Sequence, residues 1–255
     1  MEILHSKIQG QGKPLIILHG YFGMGDNWKS QANKLAMHYQ VHMVDQRNHG
    51  RSFHSDNFDY ELLVEDLENY FEYHSIESAY LLGHSMGGKT AMLFAVTFPE
   101  KVEKLIVADI APKNYPPHHH QILEALNAVD FSKITLRTEV DDVLKEYIEE
   151  EGVRQFLLKN VYRKTKDVLN FRFNLESLTD NNDEVGAALP GFAEYCGEVL
   201  FLRGGTSDYI TDEDFALISA HFSKAEIKTI SNAGHWLHAE NPVDFLKEVM
   251  LFLEE

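Results

Sequence analysis

Short apolar runs recur along the chain and end in polar or glycine-containing turns. Consecutive apolar positions are typical of strands that are buried on both faces of a parallel sheet. The runs with this pattern are residues 15–18, 41–44, 79–82, 104–108 and 199–202, and residues 225–230 are a last, less apolar strand candidate. We therefore predict that these segments are strands of one sheet.

Segments with helical periodicity separate these runs. In residues 60–74, the apolar side chains of Leu63, Leu67 and Tyr70 recur close to helical spacing. Helices are also expected at about 28–38, directly after residue 85, and at about 212–221 and 241–253. Because strands and helices alternate, the predicted fold class is α/β, with a mostly parallel central sheet and helices on both faces.

The alternation stops after residue 111, and the strand pattern returns only at Val199. Three prolines interrupt the start of this interval: Pro112, Pro116 and Pro117. The stretch from about 118 to 192 shows helical periodicity without a convincing strand. We predict a helical cap inserted over the functional site. The predicted domains are a core of residues 1–111 and 193–255 and a cap of residues 112–192.

The composition bounds what such a fold can bind. The chain has 255 residues, of which 44% are hydrophobic, which suits one α/β domain with an insertion. The formal net charge of −17 disfavours binding to nucleic acid or to anionic lipid. The single cysteine, Cys196, excludes an internal disulfide framework and is compatible with a reducing compartment.

The N-terminal residues lack a charged segment followed by a long apolar core, so no signal peptide is expected. No uninterrupted apolar run approaches about 18 residues, so no membrane span is expected. These two features predict a cytoplasmic protein. The sequence contains no indication of an oligomeric state.

The most specific motif is Gly83-His84-Ser85-Met86-Gly87, which follows a predicted strand and precedes a predicted helix. In this context Gly-x-Ser-x-Gly holds the serine in a tight turn, and the glycines remove Cβ atoms that would collide where strand and helix meet. The Ser85 hydroxyl would lie at a helix N-terminus, where peptide N–H groups favour negative charge. Ser85 is therefore the candidate nucleophile.

A serine nucleophile needs a general base, and the base needs an orienting acid. His235 is the candidate base because it lies between the last predicted strand and the last predicted helix, at the rim shared by the carboxyl ends of the strands. Two aspartates lie at this rim. Asp109 directly follows its strand, whereas Asp208 lies further into a loop. Either aspartate can be the acid on the residues alone.

The other histidines near these motifs have plainer interpretations. His19, His49 and His84 are expected to pack or brace loops, and His238 is expected to lie beyond reach of Ser85. The triplet 118–120 is predicted to be an exposed loop, because adjacent residues do not easily aim three imidazoles at one metal ion. No metal site and no cofactor are expected.

Acyl transfer also requires N–H groups that stabilise the developing oxyanion. The backbone N–H of Met86, the residue after the nucleophile, is one candidate. The second is expected in the loop after the first predicted strand, with Tyr21 preferred and Phe22 as the alternative. Phe22 and Trp236 are expected to line the substrate pocket. Three cap aromatics are candidates either for that pocket or for the interior of the cap: Phe156, Tyr162 and Phe171.

Taken together, these motifs resemble the α/β-hydrolase superfamily. The resemblance covers the whole chain, through His19-Gly20, residues 45–52, residues 83–87 and Gly234-His235. The segment 45–52 departs from the commoner Asp-x-Arg-Gly-x-Gly-x-Ser by carrying Asn48-His49. With Gly83 to Lys89, this pair is similar to the YbfF-type bacterial esterases and their mitochondrial relatives. The resemblance implies an α/β-hydrolase fold, Asp109 as the acid, and hydrolysis of short-chain esters and acyl-CoA.

The function predicted is a serine hydrolase that cleaves small carboxylic esters or acyl thioesters, including acyl-CoA, through an acyl-enzyme on Ser85. One alternative keeps the triad but hydrolyses or eliminates at a carbon–carbon bond. The other alternative is a non-catalytic protein that binds a ligand on a hydrolase scaffold. The partner expected is a small-molecule acyl substrate.

Overall fold

The computed structural model describes residues 2–117 and 119–254. Its strands are β1 (Ser6–Gln9), β2 (Pro14–Leu18), β3 (Gln40–Val44), β4 (Ala79–His84), β5 (Val102–Ala108), β6 (Val161–Arg163), β7 (Leu169–Phe171), β8 (Glu198–Gly204) and β9 (Ala225–Ile230). Its α-helices are α1 (Lys29–Leu35), α2 (Tyr60–Tyr73), α3 (Met86–Thr97), α4 (His120–Asn127), α5 (Arg137–Lys145), α6 (Glu151–Leu158), α7 (Leu175–Asp180), α8 (Phe215–His221), α9 (Leu237–Glu240) and α10 (Pro242–Glu254).

Within the described residues, the central sheet has seven strands in the order β1-β3-β2-β4-β5-β8-β9. All pairs are parallel except β1 with β3. The sequence pattern did not predict β1, because this edge strand has only four residues and is partly exposed. The parallel order brings the carboxyl ends of β4, β5 and β8 side by side, since His84 pairs with Ala108 and Ala108 with Leu202.

Helices cover both faces of the sheet. One apolar cluster contains Ile16 of β2, Leu67 of α2 and Phe94 of α3. The other contains Ile17 of β2 and Phe245 of α10. Neighbouring residues of β2 enter opposite clusters because successive side chains of a strand point to opposite faces. The predicted α/β fold, with a mostly parallel sheet and helices on both faces, is confirmed.

The segment between β5 and β8 contains α4 to α7 and the antiparallel pair of β6 and β7. The sequence interpretation expected helices alone here and missed this pair. Each of the two strands has three residues, which is too short to give a clear alternating pattern. The apolar cluster of this segment also includes Tyr21, Phe22 and Met86, so the segment packs directly on the predicted site residues. We refer to residues 112–192 as the cap.

Among the helices of the described chain, none combines the length and the apolar character needed to cross a membrane. The cytoplasmic location remains a prediction.

Candidate active site

Ser85 lies in the sharp turn between β4 and α3. Its φ of 53° and ψ of −121° lie in a region that L-residues rarely adopt, and such strain is concentrated at functional sites. The turn is closed by glycine: a Cβ on Gly83 would lie 2.2 Å from the carbonyl oxygen of Gly87. The Ser85 N–H donates to the carbonyl of Ala108 at 3.0 Å, which continues the sheet into the turn. The side chain is therefore held at the sheet rim by its backbone.

His235 and Asp109 form a hydrogen-bonded pair at this rim. His235 Nδ1 donates to Asp109 Oδ2 at 2.9 Å, and the Asp109 carboxylate is fully buried. The carboxylate also accepts the Gly204 N–H at 2.9 Å and the Ser207 hydroxyl. Asp208 is exposed and makes no hydrogen bond to any other described residue. The structure thus brings Asp109, and not Asp208, to His235.

The Ser85 hydroxyl makes no hydrogen bond within the described chain, although Ser85 and His235 line the same cavity. Hydrogen bonds in unliganded active sites are often long and tighten when substrate binds. His84 fixes the backbone of the base: its Nε2 donates to the His235 carbonyl at 2.8 Å. Burial lowers the pKa of His84 well below its usual value, and this residue therefore stays neutral.

The loop after β2 lies against Ser85. A Cβ on Gly20 would lie 2.9 Å from His84 Nδ1 and 3.2 Å from Ser85 Cβ, so a side chain at this position would crowd both residues. The Gly23 N–H donates to the Gly20 carbonyl at 2.9 Å and closes a turn around Tyr21 and Phe22. Phe22 has a φ of 57°, a conformation that favours glycine in such turns.

The two candidate oxyanion donors in this loop differ in their partners. The Phe22 N–H donates to His49 Nε2 at 3.2 Å. The backbone N–H groups of Tyr21 and Met86 have no hydrogen-bond partner among the described residues. The geometry therefore leaves Tyr21 and Met86 available to an oxyanion, while the Phe22 N–H is already used.

Two neutral histidines hold this loop in place. His19 Nδ1 donates to the Gly20 carbonyl at 2.8 Å, and its Nε2 accepts the Gln46 N–H at 3.0 Å. His49 Nδ1 donates to the Arg47 carbonyl at 2.9 Å. Burial lowers the pKa of His19 to about 4 and that of His49 to about 3. Both nitrogens of each ring are thus used by the backbone, as the expected bracing role requires.

The cavity above Ser85 has a volume of about 260 Å³ and is largely apolar. It is enclosed by the core loops and by cap residues of the α4 and α6 regions. Its lining consists of His19, Gly20, Tyr21, Phe22, Gly23, Asn27, Trp28, His84, Ser85, His119, Ile122, Val153, Phe156, Leu157, Tyr209, His235, Trp236 and His238.

Phe22 and Trp236 lie in this lining, and so does Phe156 of the three cap aromatics that were candidates either for the pocket or for the cap interior; the other two do not. Phe171 is buried against Phe131 and Phe173 inside the cap, with ring centroids 4.9 Å apart in each pair. Tyr162 lies with Phe171 at a separate cap groove. Helical and strand spacing alone did not show which side of the cap these rings occupy.

The expectation for the histidine triplet was wrong at His119. This side chain is half-buried, lines the cavity, and its ring lies 5.0 Å from the Tyr21 ring. His120 begins α4 and is exposed, and His118 lies outside the described residues. Sequence reasoning also missed Tyr209 and the cavity position of His238. No motif marked these residues, because their roles arise from the packing of separate loops.

Comparisons with known proteins identify the family to which this fold belongs. A profile described as the alpha/beta hydrolase fold matches residues 13–147. The chain is 36% identical to the sn-1-specific diacylglycerol lipase ABHD11 of Danio rerio over 96% of this chain and 80% of that protein. It is 32% identical to esterase YbfF of Escherichia coli (strain K12) over 97% of this chain and 95% of that protein.

Among solved structures, a marine microorganism esterase has a TM-score of 0.96 and 43% identity, over 99% of this chain and 100% of that one. The chain belongs to the α/β-hydrolase family. Within that family it is similar to hydrolases of the esterase and lipase type, and the resemblance to the YbfF-type esterases is confirmed.

Proposed function

We propose that the chain is a serine hydrolase that cleaves small carboxylic esters or acyl thioesters through an acyl-enzyme on Ser85. The observation that carries the proposal is the 2.9 Å hydrogen bond from His235 Nδ1 to Asp109, beside the cavity that Ser85 shares with His235. With Nδ1 committed to Asp109, the Nε2 atom of His235 is left to accept a proton from a serine hydroxyl.

The steps assign one role to each group. Ser85 Oγ attacks the substrate carbonyl carbon while His235 Nε2 takes the hydroxyl proton, and Asp109 stabilises the imidazolium that forms. The carbonyl oxygen becomes an oxyanion, to which the N–H groups of Tyr21 and Met86 donate. His235 then returns the proton to the departing alkoxide or thiolate, leaving the acyl group on Ser85. A water molecule, deprotonated by His235, releases the acid by the same steps in the second half-reaction.

The cavity supports a modest apolar acyl group. Its walls include Phe22, Phe156 and Trp236, and its volume of about 260 Å³ is slightly below the range typical of drug-sized ligand sites. The names of the relatives, diacylglycerol lipase and esterase, support ester bonds of acyl compounds as the substrate class. Cleavage of acyl thioesters, including acyl-CoA, is a part of the proposal that rests on the sequence resemblance, and the cytoplasmic location stays a prediction.

The decisive experiment combines substrates and one variant. The wild-type chain and Ser85→Ala are assayed on p-nitrophenyl esters and acyl-CoA thioesters of graded chain length. We expect turnover by the wild type, with the highest kcat/KM for short acyl chains, and loss of turnover in Ser85→Ala. Intact-mass measurement after a fluorophosphonate probe should show one adduct on the wild type and none on the variant.

The outcomes also separate the alternatives. Turnover of neither esters nor thioesters by folded wild type would favour the ligand-binding scaffold. Cleavage of a carbon–carbon bond without an acyl-enzyme on Ser85 would favour the other enzymatic alternative. A Ser85→Ala protein with near-wild-type kcat would refute the proposed mechanism.

A further inference from the structure

An aromatic ring lies flat against the candidate base. The rings of Tyr209 and His235 are stacked, with centroids 3.7 Å apart and an interplanar angle of 17°. Tyr209 comes from the loop after β8, whereas His235 comes from the loop after β9, so the contact joins two separate loops of the rim. A face-to-face contact at this distance fixes the plane of the imidazole, which the single hydrogen bond to Asp109 leaves free to rotate about that bond.

The position of Tyr209 is itself fixed from two sides. The Tyr115 hydroxyl donates to the Tyr209 carbonyl at 2.5 Å and accepts the Ala111 N–H at 2.9 Å. The Ser207 hydroxyl, which donates to Asp109, accepts the Tyr209 N–H at 3.3 Å. The Tyr115 and Tyr209 rings are also stacked, with centroids 5.5 Å apart. The backbone of Tyr209 is thus tied to the segment that carries Asp109.

We propose that Tyr209 is a positioning residue for the reaction, which holds the His235 ring toward Ser85 and stabilises its imidazolium form through the aromatic face. This inference rests on the proposed function, in which His235 becomes an imidazolium in the transition state. A cation over an aromatic face is attracted by the negative face of the ring, and the attraction is larger when water is excluded.

None of the other described groups that face His235 supplies an aromatic face stacked on the imidazole. Asp109 supplies the one negative charge in hydrogen-bond contact with the ring. His84, with its ring centroid 4.8 Å from that of His235, and His238 from α9 are both neutral, since burial holds their pKa values far below the usual range. Burial and the nearby carboxylates raise the pKa of Tyr209 to about 12, which keeps the stacked phenol neutral at the pH of catalysis.

The test compares Tyr209→Phe with Tyr209→Leu in the full chain. Phenylalanine keeps the aromatic face, whereas leucine keeps apolar volume without it. We expect Tyr209→Phe to stay within about twofold of wild type in kcat, and Tyr209→Leu to lose about tenfold in kcat with little change in KM. Tyr73→Leu, which removes an exposed ring on α2, is the matched control and should leave both constants unchanged.

The pH dependence of kcat/KM is a measurement that would not change if Tyr209 had only a structural role. An aromatic face that favours the protonated base places the acid limb of kcat/KM at higher pH. Its loss in Tyr209→Leu should move that limb to lower pH by about half a unit, and Tyr209→Phe should restore it. If the leucine variant does not fold, as judged by circular dichroism, Tyr209→Met serves for the same comparison.

Two results would overturn the inference. One is a leucine or methionine variant with the wild-type acid limb and kcat. The other is a phenylalanine variant that loses as much as leucine, which would assign the effect to the hydroxyl. Failure of the proposed function is distinguishable, because wild-type chain would then show no Ser85-dependent turnover before any Tyr209 variant is measured.

Discussion

The Lys89 ammonium group donates to the carbonyl oxygen of Gly186 at 3.0 Å, which joins the helix that follows Ser85 to the cap. Lys89 is only 1% exposed, and its other acceptors are the carbonyls of Lys113, at 2.6 Å, and Ala187. Lys113 lies where the chain enters the cap, and Gly186 and Ala187 lie where it leaves. One buried lysine side chain thus holds both connections of the cap to α3.

We predict that Lys89→Met loosens the cap without disabling the chemistry. Methionine keeps an unbranched side chain that is one atom shorter, but leaves the three carbonyl oxygens without their donor, and such unsatisfied buried groups are costly. Amide hydrogen exchange over residues 112–192 should become faster. KM for longer acyl esters should rise about tenfold, while kcat for the acetate ester stays within about threefold.

Lys104→Met is the matched control for this prediction. Lys104 also donates to a backbone carbonyl, that of Phe252 at 2.7 Å, but lies toward the opposite end of β5 from Asp109. Its loss should not change exchange in the cap. Equal exchange rates for the cap in wild type and Lys89→Met would show that Lys89 does not hold the cap in place.

A second prediction concerns His49, whose Nε2 accepts the Phe22 N–H. His49→Phe keeps a ring of similar shape but removes the acceptor, so the turn that carries Tyr21 loses one support. We expect kcat for p-nitrophenyl esters to fall by about tenfold with little change in KM, because oxyanion stabilisation acts in the transition state. His54→Phe, at an exposed position, should have no effect. A His49→Phe kcat within twofold of wild type would show that the turn needs no such support.

A third prediction separates the two candidate acids. Asp109→Asn keeps the shape of the side chain but removes the charge that, in the proposed mechanism, orients His235 and stabilises the imidazolium. It should lower kcat by about 10⁴ while the protein remains folded. Asp208→Asn, measured under the same conditions, should change kcat by no more than a few-fold, since Asp208 is exposed and unpaired among the described residues. The reverse pattern would make Asp208 the acid and refute the assignment from geometry.

The sequence predicted the core of the fold well because buried parallel strands carry a strong local signal. The strands that enter the sheet on both sides of Ser85 are apolar at nearly every position, and glycine marks their turns. The short strands β1, β6 and β7 carry no such signal, because their identity comes from pairing with a partner. The local pattern of one segment does not predict its pairing with a segment that is distant in the chain.

The candidate site could be located from the sequence where one backbone motif marks a residue. Ser85 and His235 became candidates because of the turns that carry them, whereas the choice between Asp109 and Asp208 as the neighbour of His235 depends on how two loops pack. The Asn48-His49 pair illustrates the same limit. Asn48 Nδ2 donates to Ser177 Oγ of the cap at 3.0 Å, and His49 braces the turn after β2. The sequence showed a departure from the common motif, but only the fold shows what the departure does.

The last prediction is that the protein loses stability steeply as the pH falls from 7 to 5. Five buried histidines are neutral in the native state: His19, His42, His49, His84 and His238. Burial is the main cause that lowers each pKa, to about 4 for His19 and His42 and to about 3 for His49 and His238. In the unfolded chain a histidine has a pKa of about 6.5.

Between about pH 4 and 6.5 the unfolded state therefore binds protons that the native state does not. As the pH decreases through this window, each histidine lowers the free energy of unfolding by up to about 1.4 kcal/mol per pH unit. At pH 5 each histidine therefore lowers it by about 2 kcal/mol. Five such costs are comparable with the whole stability of an ordinary domain, about 5–15 kcal/mol. Carboxylates that are stabilised in their ionised form in the native state also lower the stability when they become protonated, but they do so at lower pH.

Thermal unfolding followed by circular dichroism from pH 8 to pH 5 measures this dependence. His238→Phe keeps a ring to stack on Trp28, whose centroid lies 4.1 Å from that of His238, and removes one titrating group. As the pH falls, its unfolding free energy should decrease less steeply than that of the wild type, by about a fifth of the wild-type slope near pH 5. His38→Gln, at an exposed position, should leave the slope unchanged. A wild-type stability that is flat or rises from pH 7 to 5 would mean that these histidines become protonated in the native fold.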